Sequence, residues 1–464
     1  MTETPSRERP DTEVRRLGRF VSEADHRTMS DEAREELKKR LLDTVGVAIG
    51  ALDGEPIRMI RAHQEDFGGA PHCTLIGGGK TAPDRAAFYN GALSRYLDFM
   101  DSYLAKGETC HQSDNFGAVL AAAEYADASG DQFLSAMAAA YQVQGRLCDV
   151  APVRHKGFDH TVQGAYASAS GVARALGLDA EKTAMAIAIS GTCNNALRCT
   201  RTGALSHWKG LAYPNTGFVG AHAGFLAYRG ITGPEEVFEG NKGFKEAIAG
   251  PFEIDWSKED LENVKKSIIK KYNAEIHSQS SIEGALELQV KEGFSWTEIE
   301  KIEIDIFDVA FHIIGGGEEG DKTIIRTKEE ADHSLQYMVG VALIDGNVLP
   351  AQYEGDRVVR DDIQSLLKRF VVRPKQAYTD RFPGEVGTDL AIHLKGGAVH
   401  RITKTDYEGF HTRPMSWETV IAKFDDLAAP FTSERARTAI VEAVRTLETT
   451  RARDLAALLG DLRA

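Results

Sequence analysis

The sequence predicts a mainly α protein: a large all-helical domain built from both ends of the chain, with a smaller α+β domain between them. Three observations carry this. The chain has 464 residues, more than one ordinary core accommodates, so two domains are expected. Up to about residue 265 it runs through helix-period segments unusually rich in small residues. From there to about residue 404 the texture changes to strand alternation, and helix period then returns.

Asp31 opens the first clear helix, with Leu37, Leu41, Leu42, Val45 and Val47 at helical spacing. Residues 82–99 have the same period. Five segments follow, at 117–126, 134–144, 164–176, 183–196 and 217–227, all rich in alanine and glycine. Alanine favours helix, and small side chains let helices approach closely. A series of them predicts a packed helical domain. Leu176-Gly177-Leu178-Asp179 reads as the end of one helix and the cap of the next. In the middle region, residues 302–307 alternate apolar and acidic side chains, as a strand does. Residues 389–404 read as a β-hairpin turning at Gly396-Gly397, and 333–345 as a helix between the two. Gly315-Gly316-Gly317 followed by Glu318-Glu319 reads as a flexible loop. Residues 416–462 return to helix and are expected to rejoin the first domain. The expected division is 1–265 with 405–464, and 266–404.

Composition excludes several classes. Net charge is −14, without the basic stripe that nucleic-acid binding requires. An anionic substrate must therefore be met by a local basic cluster. Apolar stretches such as 218–227 are too short and too interrupted for a membrane span. Residues 1–11 are polar and lack the apolar core of a secretory signal, so a cytoplasmic location is expected. The cysteines at 73, 110, 148, 193 and 199 form no CxxC pair, which supports neither a zinc site nor a disulfide framework. Cys110 reads as a small buried apolar residue. Patterns for metalloprotease, α/β-hydrolase, P-loop and dinucleotide-binding sites are absent.

Five clusters can carry chemistry. Asp98, Asp101, Ser102 and His111 put two carboxylates, a hydroxyl and an imidazole within fourteen residues, enough for a base, an acid and an orienting group. Taken alone, this cluster reads slightly better as helix-end capping with His111 on the surface. Asp159-His160-Thr161 precedes an alanine-rich helix. A helix N-terminus favours the neutral form of His160, which suits a base, although Asp159 or Thr161 also reads as a plain cap. Arg198, Arg201, His207 and Lys209 form the one basic cluster of the helical half and can hold carboxylates by charge-assisted hydrogen bonds. The plainer reading is a solvated loop, against which Trp208 speaks. His277 stands among serines before a helix, the usual place of a cap. Asp332-His333-Ser334-Leu335-Gln336-Tyr337 interrupts an apolar helix and reads best as buried structural hydrogen bonding.

In this order the clusters resemble the MmgE/PrpD family, which includes 2-methylcitrate dehydratase, cis-aconitate decarboxylase and iminodisuccinate epimerase. The likeness runs from about residue 35 to about 425. Its residues include Asp43-Thr44-Val45-Gly46-Val47, Asn90-Gly91-Ala92 with Leu97-Asp98-Phe99, Thr232-Gly233-Pro234, Gly243-Phe244, His333-Ser334-Leu335-Gln336-Tyr337 and Pro414-Met415-Ser416. The resemblance implies a helical domain, a lid from the middle of the chain and an active site between them. It also implies a homodimer with neither metal nor organic cofactor. Residue by residue, the family's DFDDT segment becomes Asp98-Phe99-Met100-Asp101-Ser102, and its HPS histidine becomes His111. Its HPT segment becomes Asp159-His160-Thr161, where either of the first two can supply the site group. His207 and Lys209 lie nearest its lysine, and His277 matches its lid histidine.

These reactions share the making or quenching of a carbanion beside a carboxylate. The expected assignment is a hydro-lyase acting on a small di- or tricarboxylic acid. His111 and His160 serve as acid and base, Asp98 and Asp101 orient imidazole, and Lys209, Arg198, Arg201 and His277 hold carboxylates. Epimerase and decarboxylase chemistry stand as alternatives, as does a non-catalytic carboxylate- or protein-binding member. The altered DFMDS, HQS and DHT segments leave the substrate open.

Overall fold

The computed structural model describes residues 11–202, 205–318 and 320–463. The polar segment 1–10, Gly203, Ala204 and Glu319 lie outside the described residues.

Buried apolar side chains fall into two main clusters. One runs from Val14 to Ile269 and resumes from Met415 to Leu462. The other runs from Ile268 to Phe410. The first is built on α1 (Glu13–Glu23), α2 (Asp31–Gly50), α3 (Glu55–Phe67), α4 (Pro83–Tyr96), α5 (Phe116–Tyr125), α6 (Gly130–Val150), α7 (Thr161–Ala175), α8 (Ala180–Cys193) and α9 (Trp208–Tyr228). The helices Trp417–Ala428, Glu434–Arg445 and Ala452–Gly460 complete it. Ser30, Ser129 and Asp179 cap α2, α6 and α8 through side-chain oxygens, as their sequence positions imply. Gly177, at φ 67°, supplies the left-handed residue between α7 and α8. Glycine permits the close crossing of α4 and α5. A Cβ on Gly117 of α5 would lie 2.5 Å from the Gly91 nitrogen and 2.8 Å from the Ala87 oxygen of α4.

Three small sheets complete the fold. β1 (Cys73–Thr74) and β2 (Lys80–Thr81) form a hairpin. β3 (Ser102–Leu104) pairs with β4 (Thr109–Cys110) and with β5 (Ser267–Ile268), which stands where the chain passes from one core to the other. The second core packs α10 (Gln279–Glu292) and the helix Leu335–Asp345 against β6 (Ile299–Ile306), β7 (Phe370–Pro374), β8 (Thr388–Leu394) and β9 (Val399–Lys404), in the order β7-β6-β8-β9. β8 and β9 form the expected antiparallel hairpin. β7 joins β6 in parallel, a pairing that the sequence reading lacks. The expected helix at 333–345 begins at Leu335, because the Ser334 hydroxyl accepts the Tyr337 N–H and caps it. His333 is thereby left outside the helix. Among the described residues, no helix is long and apolar enough to cross a membrane.

Candidate active site

Asp98 follows the last turn of α4 in a left-handed conformation at φ 55°, which aspartate tolerates better than most residues. This turn sets its carboxylate among three cations. Arg95 Nη1 lies 2.8 Å and Lys270 Nζ 3.0 Å from Oδ1, and Lys209 Nζ lies 3.4 Å from Oδ2. Burial opposes ionisation, but Arg95, Lys270 and Lys209 outweigh it and hold the carboxyl well below its usual range.

The β3–β4 hairpin lays His111 beside Asp101 and Ser102. His111 Nδ1 is 2.7 Å from the Asp101 carbonyl and 3.1 Å from Ser102 Oγ. A carbonyl only accepts, so Nδ1 carries the proton and Nε2 keeps its lone pair. The Asp101 carboxylate does not reach the ring. It takes hydrogen bonds from Ser113 N and Oγ (3.1 and 2.6 Å), Tyr141 (2.7 Å) and Ser267 (3.1 Å). This corrects the expectation that the Asp101 side chain orients an imidazole: its main chain does so, and its side chain locks the loop. His111 is buried, against the surface reading. Burial, with Arg95 and Lys270, drives it well below the ordinary histidine range. The neighbouring Cys110 packs with Tyr103, Ala105 and Cys148, as expected of a small apolar residue.

His160 directly precedes α7, without a side-chain bond to its first turn, and meets His111 edge-on, ring centres 5.6 Å apart. Its Nε2 is buried without a hydrogen-bond partner among the described residues. Burial, and then Arg201 and Arg95, bring it down to about 3 despite Asp159, so the ring is neutral at pH 7. Asp159 lies behind it. One carboxylate oxygen accepts Arg201 Nε at 2.6 Å, the other accepts the Thr161 N–H at 3.2 Å, and Arg201, with Arg198, keeps it ionised against burial. Of the two residues left open in this segment, His160 therefore faces the cavity.

Lys209 stands in the first turn of α9, its ammonium 3.4 Å from Asp98, 3.2 Å from Asp332 and 3.1 Å from His333 Nδ1. The ligand-type atoms of Asp98, Asp332 and His333 lie within 4.8 Å of one another, so this ammonium occupies their common centre. His207, two residues earlier, is exposed and does not line the cavity. Its expected carboxylate-holding place is corrected: residues two apart on a helical turn point in nearly opposite directions. Trp208, the residue that speaks against a solvated loop in the sequence, is 47% exposed. From the second core, His277 Nδ1 lies 2.7 Å from Glu275 Oε1, and its Nε2 also has no hydrogen-bond partner among the described residues. Burial raises the Glu275 carboxyl, but His277, His333 and Lys270 bring it down to about 2.

Asp98, His111, His160, Arg198, Arg201, Lys209 and His277 line one cavity of about 70 Å³. Arg95, Lys270, Glu275 and Arg154 line it too and are absent from the sequence reading of the site; His333, which that reading takes as structural, also lines it. The cavity adjoins a chamber of about 1280 Å³, and the two share Glu108, Thr109, Arg154, Arg198, Arg201 and His333. The geometry offers two imidazole nitrogens able to take a proton, cations able to bind carboxylates, and a larger chamber beyond.

Residues 15–257 match the MmgE/PrpD N-terminal domain and residues 272–449 the MmgE/PrpD C-terminal domain. The chain is 28% identical to the 2-methylcitrate dehydratase of Salmonella typhimurium over 405 residues, covering 80% of this chain and 81% of that protein. It is 27% identical to that of Cupriavidus necator over 448 residues, 89% of each. It is also 28% identical to a fungal alkylcitrate dehydratase over 382 residues, 74% of this chain and 73% of that protein. The chain belongs to the MmgE/PrpD family.

Proposed function

We propose that this protein is a hydro-lyase that removes water from a tricarboxylic acid of the 2-methylcitrate type. The observation that carries the reading is the neutral pair His111–His160 set in a cavity walled by Arg95, Arg198, Arg201, Lys209 and Lys270. The names of the similar dehydratases support the substrate class.

The carboxylates of the substrate meet Lys209, Arg198 and Arg201 through charge-assisted hydrogen bonds. His111 or His160 takes the proton from the carbon beside a carboxylate, and the cations stabilise the charge that develops there. The electron pair of the broken C–H bond forms the double bond, and hydroxide leaves as water once protonated. Metal-independent chemistry is part of the reading. Lys209 already brings a positive charge to the one centre where Asp98, Asp332 and His333 gather. The reading also takes residues 266–404 as a lid over a helical domain of 1–265 and 405–464, in a cytoplasmic homodimer. The two separate apolar cores support the lid.

Proton NMR of the protein in deuterated water against a panel of di- and tricarboxylates tests this. New olefinic signals from 2-methylcitrate are expected. Deuterium entering at carbon without net reaction points to an epimerase, and loss of carbon dioxide to a decarboxylase. Ligand-dependent thermal stabilisation without turnover points to a binding protein.

A further inference from the structure

Dehydration needs a proton donor as well as a base, and the two histidines of the helical wall are poorly suited to donate. Both are neutral at pH 7, His111 through burial and nearby cations, His160 through burial at about 3. Lys209 is engaged by two carboxylates. His277 is almost wholly buried, between Phe307 and Phe382 at 5.5 and 5.8 Å. A donor that works every turnover must be recharged from water and must let water leave.

His333 meets both needs. It is the one imidazole among the described residues that lines both the inner cavity and the outer chamber. Its side chain keeps 19% of its surface exposed, whereas that of His277 keeps 1%. Its Nδ1 lies 2.5 Å from Asp332 Oδ1, which is itself buried and held by Lys328 at 3.0 Å and Lys209 at 3.2 Å. That carboxylate only accepts and lies closer to Nδ1 than the Lys209 ammonium at 3.1 Å, so Nδ1 donates to Asp332 and Nε2 is the nitrogen free to exchange protons. The arrangement is a carboxylate–imidazole pair, which fixes the ring and offsets the positive charge it carries when protonated. The charged groups around it come from four elements. Asp332 and Lys328 belong to its own stretch, Lys209 to α9, Asp98 to the turn after α4, and Glu275 to the turn before α10.

We propose that His333, held by Asp332, is the acid that protonates the departing hydroxyl. This rests on the hydro-lyase reading given above. As the C–O bond breaks, the Nε2 proton of the imidazolium passes to the leaving oxygen. The proton from carbon goes to His111 or His160, and its electron pair becomes the double bond. Water departs into the chamber, a solvent proton restores His333, and the helical-wall histidine gives up its proton to solvent. Substrate thus yields alkene and water, with no other reactant.

The test uses the full chain with 2-methylcitrate and with its analogue carrying fluorine in place of the hydroxyl, since departing fluoride needs no proton. In His333→Asn the amide keeps a donor near the Nδ1 position for Asp332, and the proton-transfer nitrogen is lost. Expected are a fall in kcat of about 10²-fold or more on the hydroxy acid, KM within about threefold, and fluoride release within about threefold of wild type. His333→Gln, whose amide reaches the Nε2 position without titrating, gives the same split and guards against a misfolded Asn variant. An equal loss on both substrates, or no loss on the hydroxy acid, overturns the assignment of His333 alone. A wild-type chain that turns over neither compound overturns the hydro-lyase reading and the acid role together.

Discussion

His160 carries the sharpest single-residue consequence. Its Nε2 is buried and unpaired, and a neutral ring in that place is useful only if it takes a proton. His160→Gln keeps the ring's approximate volume and removes its basicity. The expected result is a fall in kcat of about 10²-fold with fluoride release from the fluoro analogue falling in parallel, because a base is needed whichever group leaves. Steady-state kinetics on both compounds check this. At this scale the sequence is legible where a residue stands in an ordered motif: Asp98, His111, His160, Lys209 and His277 all reach the cavity. It is not legible where partners lie far apart in the chain. Lys270 flanks Asp98 from 172 residues away, and Asp332 meets Lys209 across 123 residues. His333 reads as structural because its neighbours are helix-forming. The Ser334 cap, by starting the helix at Leu335, leaves His333 outside it and open to the cavity.

Helix crossings set the spacing of the two catalytic arms. α4 delivers Asp98, and the chain carrying His111 runs directly into α5. The two helices touch backbone to backbone at Gly91 and Gly117. Gly117→Ala is expected to destabilise the fold by about 1–3 kcal/mol through overpacking, and to reduce kcat further by moving His111 against Asp98. Denaturant unfolding with parallel kinetics measures both. Small-residue periodicity made these helices readable, and strict alternation made the β8–β9 hairpin readable. β7 escaped because its partner is β6, about 70 residues earlier, and a parallel pairing leaves no turn signature beside the strand. The short strands β3, β4 and β5 escaped because two or three residues are too few to show a period.

Across the whole molecule, buried charge makes stability depend on acid. Neutral His111 and His160 resist protonation in the folded state, so the unfolded chain takes up more protons below about pH 6.5 and stability falls with pH. Asp114 acts in the opposite direction: burial raises it to about 7, and between pH 7 and 4 it stabilises the fold as pH falls. Below about pH 4 that compensation is spent. Asp98, Asp159, Glu275 and Asp332 are all held low by neighbouring cations despite burial, and their stabilisation is lost as each is forced to take a proton. The expected profile is a shallow decline from pH 7 to 5 and then a loss on the order of 5 kcal/mol between pH 4 and 2. Urea unfolding at a series of pH values measures it, and a flat profile across the acid range would count against these charge pairings.

Lys423 of the helix Trp417–Ala428 donates to the carbonyls of Phe99 and Lys270, each at 2.8 Å, and pairs with the buried Asp43 at 2.7 Å. Phe99 follows Asp98, and Lys270 is one of its cations. Phe99 and Lys423 are 324 residues apart. On the ribosome, at about 5–20 residues per second, this distance means roughly 15 to 65 seconds during which the acidic arm of the pocket exists without its clamp. The nascent protein thus spends much of its synthesis with an unoccupied groove along α2, and competence for chemistry arrives late and all at once, when that one helix docks.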